Sequence, residues 1–498
     1  MTRWLKRGAL MLLLLAVIAA VIAWALMRAS LPTLSGDRPL IGLSAAATVQ
    51  RDALGVVTIN ADNEMDAMRA LGYIHAQERY FEMDLMRRTA AGELAELFGS
   101  AAIDTDKKHR IHRVRARTTE RLDAIAGNKI LQLEAYTEGV NDGLADLSIR
   151  PWPYLLLRQQ PRPWLLADSI LTGYAMYFDL QDATNARELA LIRMQPHLPE
   201  PLFALLTRDG SSWDAPIMGG VRGDAVLPTP QQLDLRKIAP ENAPAKAGND
   251  AATPERLDRG SNNFAVAGAL TADGRSIVAN DMHLGLRAPN IWFRARLRYG
   301  DGRASGGQVD VSGFTIPGLP AVVVGSNGHV AWGFTNSYGD WLDWKREPAC
   351  TTSSAAKQRC PGTLTHEETI KVAGAPDVTL QVDQTQWGPV LHREADGSRL
   401  SLRWVAHLPG SLTLEIADFA RATSVESLFG MADRVGMPAQ NLVAGDSSGR
   451  IAWRLLGPVP ERQQGCRPAG LAGLDESKEP RAITSCTAWG VESRNTPG

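Results

Sequence analysis

The hydrophobic period of this chain changes once along its length, and that change most constrains what it can fold into. Up to about residue 193 apolar residues recur every three or four positions, the pattern of amphipathic helices. Met65, Met68, Leu71 and Ile74 form one such series, followed by Phe81, Leu85, Leu94 and Leu97. Helical patterning resumes over 107–146 and 165–193. From Ser261 onward, short apolar runs alternate with turn signals such as Ala272-Asp273-Gly274 and Ser326-Asn327-Gly328, the pattern of strands. Runs at 264–267, 277–279, 309–311, 321–324, 329–334, 400–405, 441–444 and 451–456 are predicted strands, with one helix over 424–435. Helices first and strands second predict an α+β fold with helices packed on sheets.

The two halves meet at an unusual place. Residues 219–258 are rich in Pro, Ala, Asn and Asp and lack periodicity, so they read as a spacer. The spacer runs through Arg259-Gly260-Ser261-Asn262-Asn263 directly into Phe264–Ala267, which reads as a buried strand. Loose chain abutting a core strand at a Gly–Ser step predicts that the protein cuts its own Gly260–Ser261 bond. Ser261 then carries a hydroxyl and a free α-amino group on one residue. The expected organisation is an export segment and linker over 1–35, a helical region over 36–218, a spacer over 219–260 and a catalytic region over 261–498.

Charge and composition narrow the function. With 53 basic and 54 acidic residues among 498, the net charge of -1 gives no electrostatic case for nucleic acid. Arg3, Lys6 and Arg7 precede an apolar run from Gly8 to Met27, the pattern of an export segment. The run is long enough to span a bilayer, and its basic flank places the N-terminus in the cytoplasm. No clean Ala-x-Ala site follows, so a retained membrane anchor is expected, with a removed signal peptide as the alternative. Either way the body of the protein lies in the periplasm or cell envelope. Cys350 and Cys360 are near neighbours, as are Cys466 and Cys486, which suits two local disulfides in an oxidising space. Four cysteines nevertheless allow three pairings.

Several motifs read as ordinary structure. Gly445-Asp446-Ser447-Ser448-Gly449 matches Gly-x-Ser-x-Gly, but strand-like runs on both sides make it a hairpin turn and not a nucleophile elbow. Ser354-x-x-Lys357 lies in a polar loop between two cysteines, with no Lys-Thr-Gly after it. His75, Glu78, Arg79, Asp84, Arg87 and Arg88 read as a helix laced by ion pairs. Asn63-x-x-Asp66 resembles a capping arrangement at its start.

Four segments in order carry the chemistry. They are Gly260-Ser261-Asn262-Asn263, then Ala279-Asn280-Asp281-Met282-His283-Leu284-Gly285, then 324–343 with Asn336, Asp340 and Asp343, and finally Gln440-Asn441. Together with Gly72-Tyr73-Ile74-His75-Ala76-Gln77-Glu78-Arg79 and Gly92-Glu93-Leu94-Ala95-Glu96, they resemble the penicillin acylase family of N-terminal nucleophile hydrolases. The resemblance runs from about residue 48 to 462. It implies a four-layer αββα sandwich and a precursor cut into two chains that stay associated after losing a spacer. It implies Ser261 as nucleophile with its own α-amino group as base, and His283 beside it. It implies the Asn336 backbone N–H and the Asn441 side chain as oxyanion donors, and Arg462 as a supporting arginine near the new N-terminus. Glu188, Asp340 and Asp343 match carboxylates of a structural Ca²⁺ site, a hard-oxygen set that suits this ion. The implied substrate is a small N-acyl amide: a β-lactam antibiotic side chain, an acyl-homoserine lactone or a related acylated amine.

Family members continue well beyond the position of Arg462, whereas this sequence passes Cys466 and Cys486 and reaches Gly498. A C-terminally shortened family member is therefore expected. The alternative to an active enzyme is a membrane-anchored remnant that acts by binding. Mass spectrometry of the purified protein separates the two: a chain beginning at Ser261 is expected, and an intact chain would favour the remnant.

Overall fold

The computed structural model describes residues 2–208, 210–216, 219–237, 260–352, 358–360, 362–462 and 489–492. Helix α1 (Thr2–Ala29) is apolar, exposed, and by length and composition able to cross a membrane. Strands β1 (Thr48–Arg51) and β2 (Val57–Ala61) lead into helix α2 (Glu64–Ala91). The Asn63 side chain caps α2 by accepting the Asp66 N–H at 3.0 Å. Asp66 does not close a capping box; its carboxylate accepts from the Ser44 N–H and hydroxyl. Gly92, left-handed at φ 65°, ends α2, so the helical pattern that runs on through Leu94 and Leu97 continues only as the turn Ala95–Phe98.

Helices α3 (Ile130–Ala145) and α4 (Leu166–Leu180) pack on α2, and α5 (Ala186–Met194) follows. The helical pattern over 165–193 breaks between α4 and α5, where Asn185 is left-handed. The α2–α3 crossing is close: a Cβ on Gly72 would lie 2.2 Å from the Tyr136 carbonyl, and one on Gly139 2.0 Å from that of Arg69. The charges of α2 are structural, as expected. Buried Arg87 pairs with Asp84 and Asp168, and buried Arg88 pairs with Asp84 and Glu96. His75 is buried between the Tyr136 and Thr315 hydroxyls, and burial lowers its pKa to about 3.

The second half opens with a hairpin, β3 (Ser261–Val266) paired antiparallel with β4 (Ile277–Met282). Strands β5 (Phe293–Gly300), β6 (Gln308–Thr315), β7 (Val322–Ser326) and β8 (Val330–Asn336) follow, and β9 (Leu342–Glu347) enters a separate three-stranded sheet with Val390–Arg393 and Arg399–Trp404. Strands β10 (Gln440–Asp446) and β11 (Ile451–Leu456) complete an eight-stranded sheet in the order β1-β2-β5-β6-β7-β8-β10-β11. The turn between β10 and β11 is the Gly445–Gly449 motif, a hairpin as predicted. Strand β5 is absent from the apolar runs above because Arg294, Arg296 and Arg298 interrupt it. Its period is nonetheless two, with Phe293, Ala295, Leu297 and Tyr299 buried and the arginines exposed.

The helical first half and strand-rich second half are as expected. Of the four layers, the described residues supply three: helices, the large sheet, and the β3–β4 hairpin lying over β8 and β10. The expectation that 264–267 is buried needs correction. Phe264 is 58% exposed, because alternate residues of β3 face away from the large sheet.

Side-chain amides fasten the hairpin to the sheet. Asn280 mimics a strand: its Oδ1 accepts the Phe334 N–H at 3.1 Å and its Nδ2 donates to the Phe334 carbonyl at 2.8 Å. Asn263 Nδ2 lies 3.4 Å from the Gly333 carbonyl and 3.3 Å from that of Asn441. Gly333 is what admits this approach, since a Cβ there would lie 2.8 Å from Asn280 Cβ.

A buried ion network ties the two halves together. The Arg421 guanidinium reaches Glu64 at 2.5 Å, Asp301 at 2.5 Å and Asp418 at 2.6 Å, while Lys129 reaches Asp418 at 2.5 Å. Burial alone would raise the Asp301 carboxyl, but hydrogen bonds from Arg303 and Arg421 outweigh it and hold the group well below the usual carboxylate range. The parallel β2–β5 pair is a second tie.

Gly333→Ala is expected to push the hairpin off the sheet and to cost roughly 1–3 kcal/mol, the range for an overpacked core. A denaturation midpoint equal to that of the unsubstituted protein would contradict this packing.

Candidate active site

Ser261 is the first residue of β3, half-buried, and paired in register with Met282. The chain enters it through Gly260, whose carbonyl accepts the His283 backbone N–H at 3.2 Å. A Cβ on Gly260 would lie 3.4 Å from His283 Nδ1, so the imidazole sits beside the predicted scissile bond. The other ring nitrogen, Nε2, lies 2.8 Å from Asp281 Oδ2.

Asn336 ends β8, and Asn441 lies on the neighbouring strand β10. The Asn441 Nδ2 donates to the Asn336 carbonyl at 3.2 Å. The Asn336 side chain is itself held, donating to the Leu180 carbonyl at 3.1 Å and accepting from Gln440 Nε2 at 3.2 Å. Because Asn263 reaches the Asn441 carbonyl, the strand bearing Ser261 is bonded directly to the strand bearing Asn441.

Ser261 and Asn336 share the wall of a cavity of about 970 Å³, counting its open mouth. The rest of the lining is almost wholly apolar and comes from distant segments. Ile170, Gly173 and Met176 belong to α4, Val323 and Val324 to β7, and Leu412, Leu414 and Met437 to later loops. Trp292 and Phe334 add aromatic surface. Apart from Val324 and Phe334, which lie in the 324–343 segment, these residues follow no motif, and no sequence signal marks any of them as pocket residues.

Glu188, Asp340 and Asp343 come together as predicted, with one oxygen of each within 4.8 Å of the others. They are carried by α5, the loop after β8, and β9. Glu188 and Asp343 are buried. Asn185 Nδ2 donates to Glu188 Oε2 at 2.5 Å, and Arg403 faces Asp343 across the sheet. Three carboxylates gathered in a largely buried site, offering hard oxygen donors, fit a Ca²⁺ ion.

Arg462 ends a short strand, but its side chain lies outside the described residues, as do Cys466, Cys486 and the Ser354-x-x-Lys357 motif. Cys350 and Cys360 form a disulfide, one of the two local bridges expected. The anchoring roles of Asn263 and Asn280 are not among the sequence expectations, although both residues lie inside the motifs that carry the chemistry. Each directly adjoins a predicted apolar run, 264–267 or 277–279, and the signal that marks it is a polar residue at the end of a strand-like run.

The family model for penicillin amidase matches residues 46–486. The chain is 32% identical over 446 residues to penicillin acylase 2 proenzyme of Pseudomonas sp. (strain SE83), covering 88% of this chain and 55% of that protein. It is 27% identical over 446 residues to acyl-homoserine lactone acylase QuiP of Pseudomonas fluorescens (strain Pf0-1), covering 88% and 53%. A solved structure, the thermostable penicillin G acylase from Alcaligenes faecalis in orthorhombic form, aligns with a TM-score of 0.37 at 20% identity, over 46% of this chain and 40% of that one. The chain thus spans about half the length of the curated relatives it matches. On the match of the family model over most of its length, the chain belongs to the penicillin amidase family.

Proposed function

We propose that this protein is an exported amide hydrolase that cuts its own Gly260–Ser261 bond and then releases the acyl group of an N-acyl amide through an acyl-enzyme on Ser261. The observation that carries the reading is the shared wall: Ser261 and Asn336 line one apolar cavity, with the Asn441 amide bonded to the Asn336 main chain. A serine hydroxyl needs a base to become a nucleophile. Once freed, the Ser261 α-amino group is that base, with a reference pKa of about 7.7–8.0. It takes the hydroxyl proton, through a water, as Oγ attacks the amide carbon. The proton then passes to the departing amine. Water attacks the ester as the amino group takes its proton, and that proton passes to Ser261 Oγ as the C–O bond breaks and the carboxylic acid leaves.

Negative charge develops on the former carbonyl oxygen. The Asn336 N–H and Asn441 Nδ2 are the donors proposed to meet it, and losing one such donor costs roughly 2.7–4 kcal/mol of barrier. His283 flanks the nucleophile and Arg462 supports the new N-terminus. The apolar cavity suits an apolar acyl group, whether from a β-lactam antibiotic or an acyl-homoserine lactone, and the relatives named for both substrates support that range. The ion network centred on Arg421 and the β2–β5 pair would hold the two processed chains together. Glu188, Asp340 and Asp343 would hold a structural Ca²⁺ between the α4–α5 region and β9. Helix α1 would carry the body across the cytoplasmic membrane and either remain as its anchor or be removed.

Ser261→Ala is expected to abolish both self-cleavage and turnover of a chromogenic acyl anilide; survival of either would implicate another nucleophile. Exhaustive chelation is expected to lower the melting temperature and calcium to restore it, and an unchanged Tm would remove the metal from the proposal.

A further inference from the structure

We infer that Trp453 is a positioning residue for Asn441, and that its indole N–H fixes which end of the Asn441 amide faces the nucleophile's side of the sheet. The inference rests on the oxyanion role proposed for Asn441. Trp453 lies half-buried on β11, opposite Val443, while Asn441 lies opposite Leu455. The two residues are therefore diagonal neighbours on adjacent strands, close enough for a large side chain to reach across. Trp453 Nε1 donates to Asn441 Oδ1 at 3.2 Å, and Asn441 Nδ2 donates to the Asn336 carbonyl at 3.2 Å.

An asparagine amide has nearly the same shape in its two flipped orientations, so packing alone selects weakly between them. Hydrogen bonding selects strongly here. An indole nitrogen can only donate, and a carbonyl oxygen can only accept. Flipping Asn441 would set its NH₂ against the indole N–H and its oxygen against the Asn336 carbonyl, exchanging two hydrogen bonds for two repulsions. In the orientation found, one amide hydrogen is used at Asn336, and Nδ2 has a second. That second hydrogen is the one an oxyanion needs. Without the indole donor, only the Asn336 carbonyl would hold the amide. The flipped form would then become populated in free enzyme, presenting an oxygen where a donor is required.

This predicts a particular kinetic signature. Trp453→Phe keeps the ring and removes the donor. It is expected to lower kcat on an acyl anilide about 10-fold with KM within about twofold, the scale of losing one neutral hydrogen bond. In an Asn441→Ala background the same substitution is expected to have no further effect, because nothing is left to orient. A merely structural role for Trp453 would instead add its loss to that of Asn441→Ala. A second measurement does not require turnover. The Trp453 indole ¹⁵N–¹H resonance, assigned by its disappearance in Trp453→Phe, should shift when Asn441 becomes Ala. A stationary resonance, full kcat in Trp453→Phe, or additive losses would each overturn the inference. A shifting resonance in a protein that hydrolyses no acyl amide would support the orienting bond and overturn the hydrolase reading alone.

Discussion

The bond pattern of two asparagines, Asn263 and Asn280, decides where the strand that begins at Ser261 lies on the large sheet. The β3–β4 hairpin belongs to no larger sheet among the described residues, and an isolated two-stranded hairpin is marginal in water. Its placement over the large sheet therefore depends on specific contacts. Asn280 supplies a strand-like pair of bonds to Phe334, and Asn263 bridges to the carbonyls of Gly333 and Asn441. Both amides are half-buried against the sheet, and each of these bonds requires a particular alignment, so together they specify one placement over a slid or rotated one. Ser261, two residues before Asn263, inherits its position from them.

The same economy of placement appears on the other face of the sheet. Chain cleavage at Gly260–Ser261 would leave two polypeptides whose association has to be intrinsic. Burying charges from both halves in one network is costly unless each is paired, and here Arg421 alone meets three carboxylates. Such a network is weak evidence for extra stability, but it penalises separation, because parting the halves strands charges in a dry interface. The parallel β2–β5 pairing joins the two halves in the same way.

Part of this architecture is legible in the sequence. The break in period near residue 261 gives the fold class, because helical and strand periodicities are local properties of sequence. The carboxylates Glu188, Asp340 and Asp343 follow from the family resemblance alone, and they converge. Strand β5 is hard to see because a search for continuous hydrophobicity misses alternation with arginine, whose charged ends reach solvent from an exposed face. Phe264 misleads for the opposite reason: an apolar run suggests burial on both faces, whereas a two-stranded layer has only one face against the core.

By itself, the sequence determined the order of helices before strands, the Gly260–Ser261 step ahead of a strand, and the identities of the polar residues that surround it. Those follow from local pattern and motif. Only the tertiary structure decided that Ser261 and Asn336 share an apolar cavity, that its walls come from α4, β7 and loops far along the chain, and that Trp453 bonds Asn441. The reason is that cavity shape and amide orientation depend on which distant side chains meet. Packing of apolar residues selects by volume and contact, which leave no periodic trace in the chain. A hydrogen bond between Asn441 and Trp453 exists only once their two strands have settled into register.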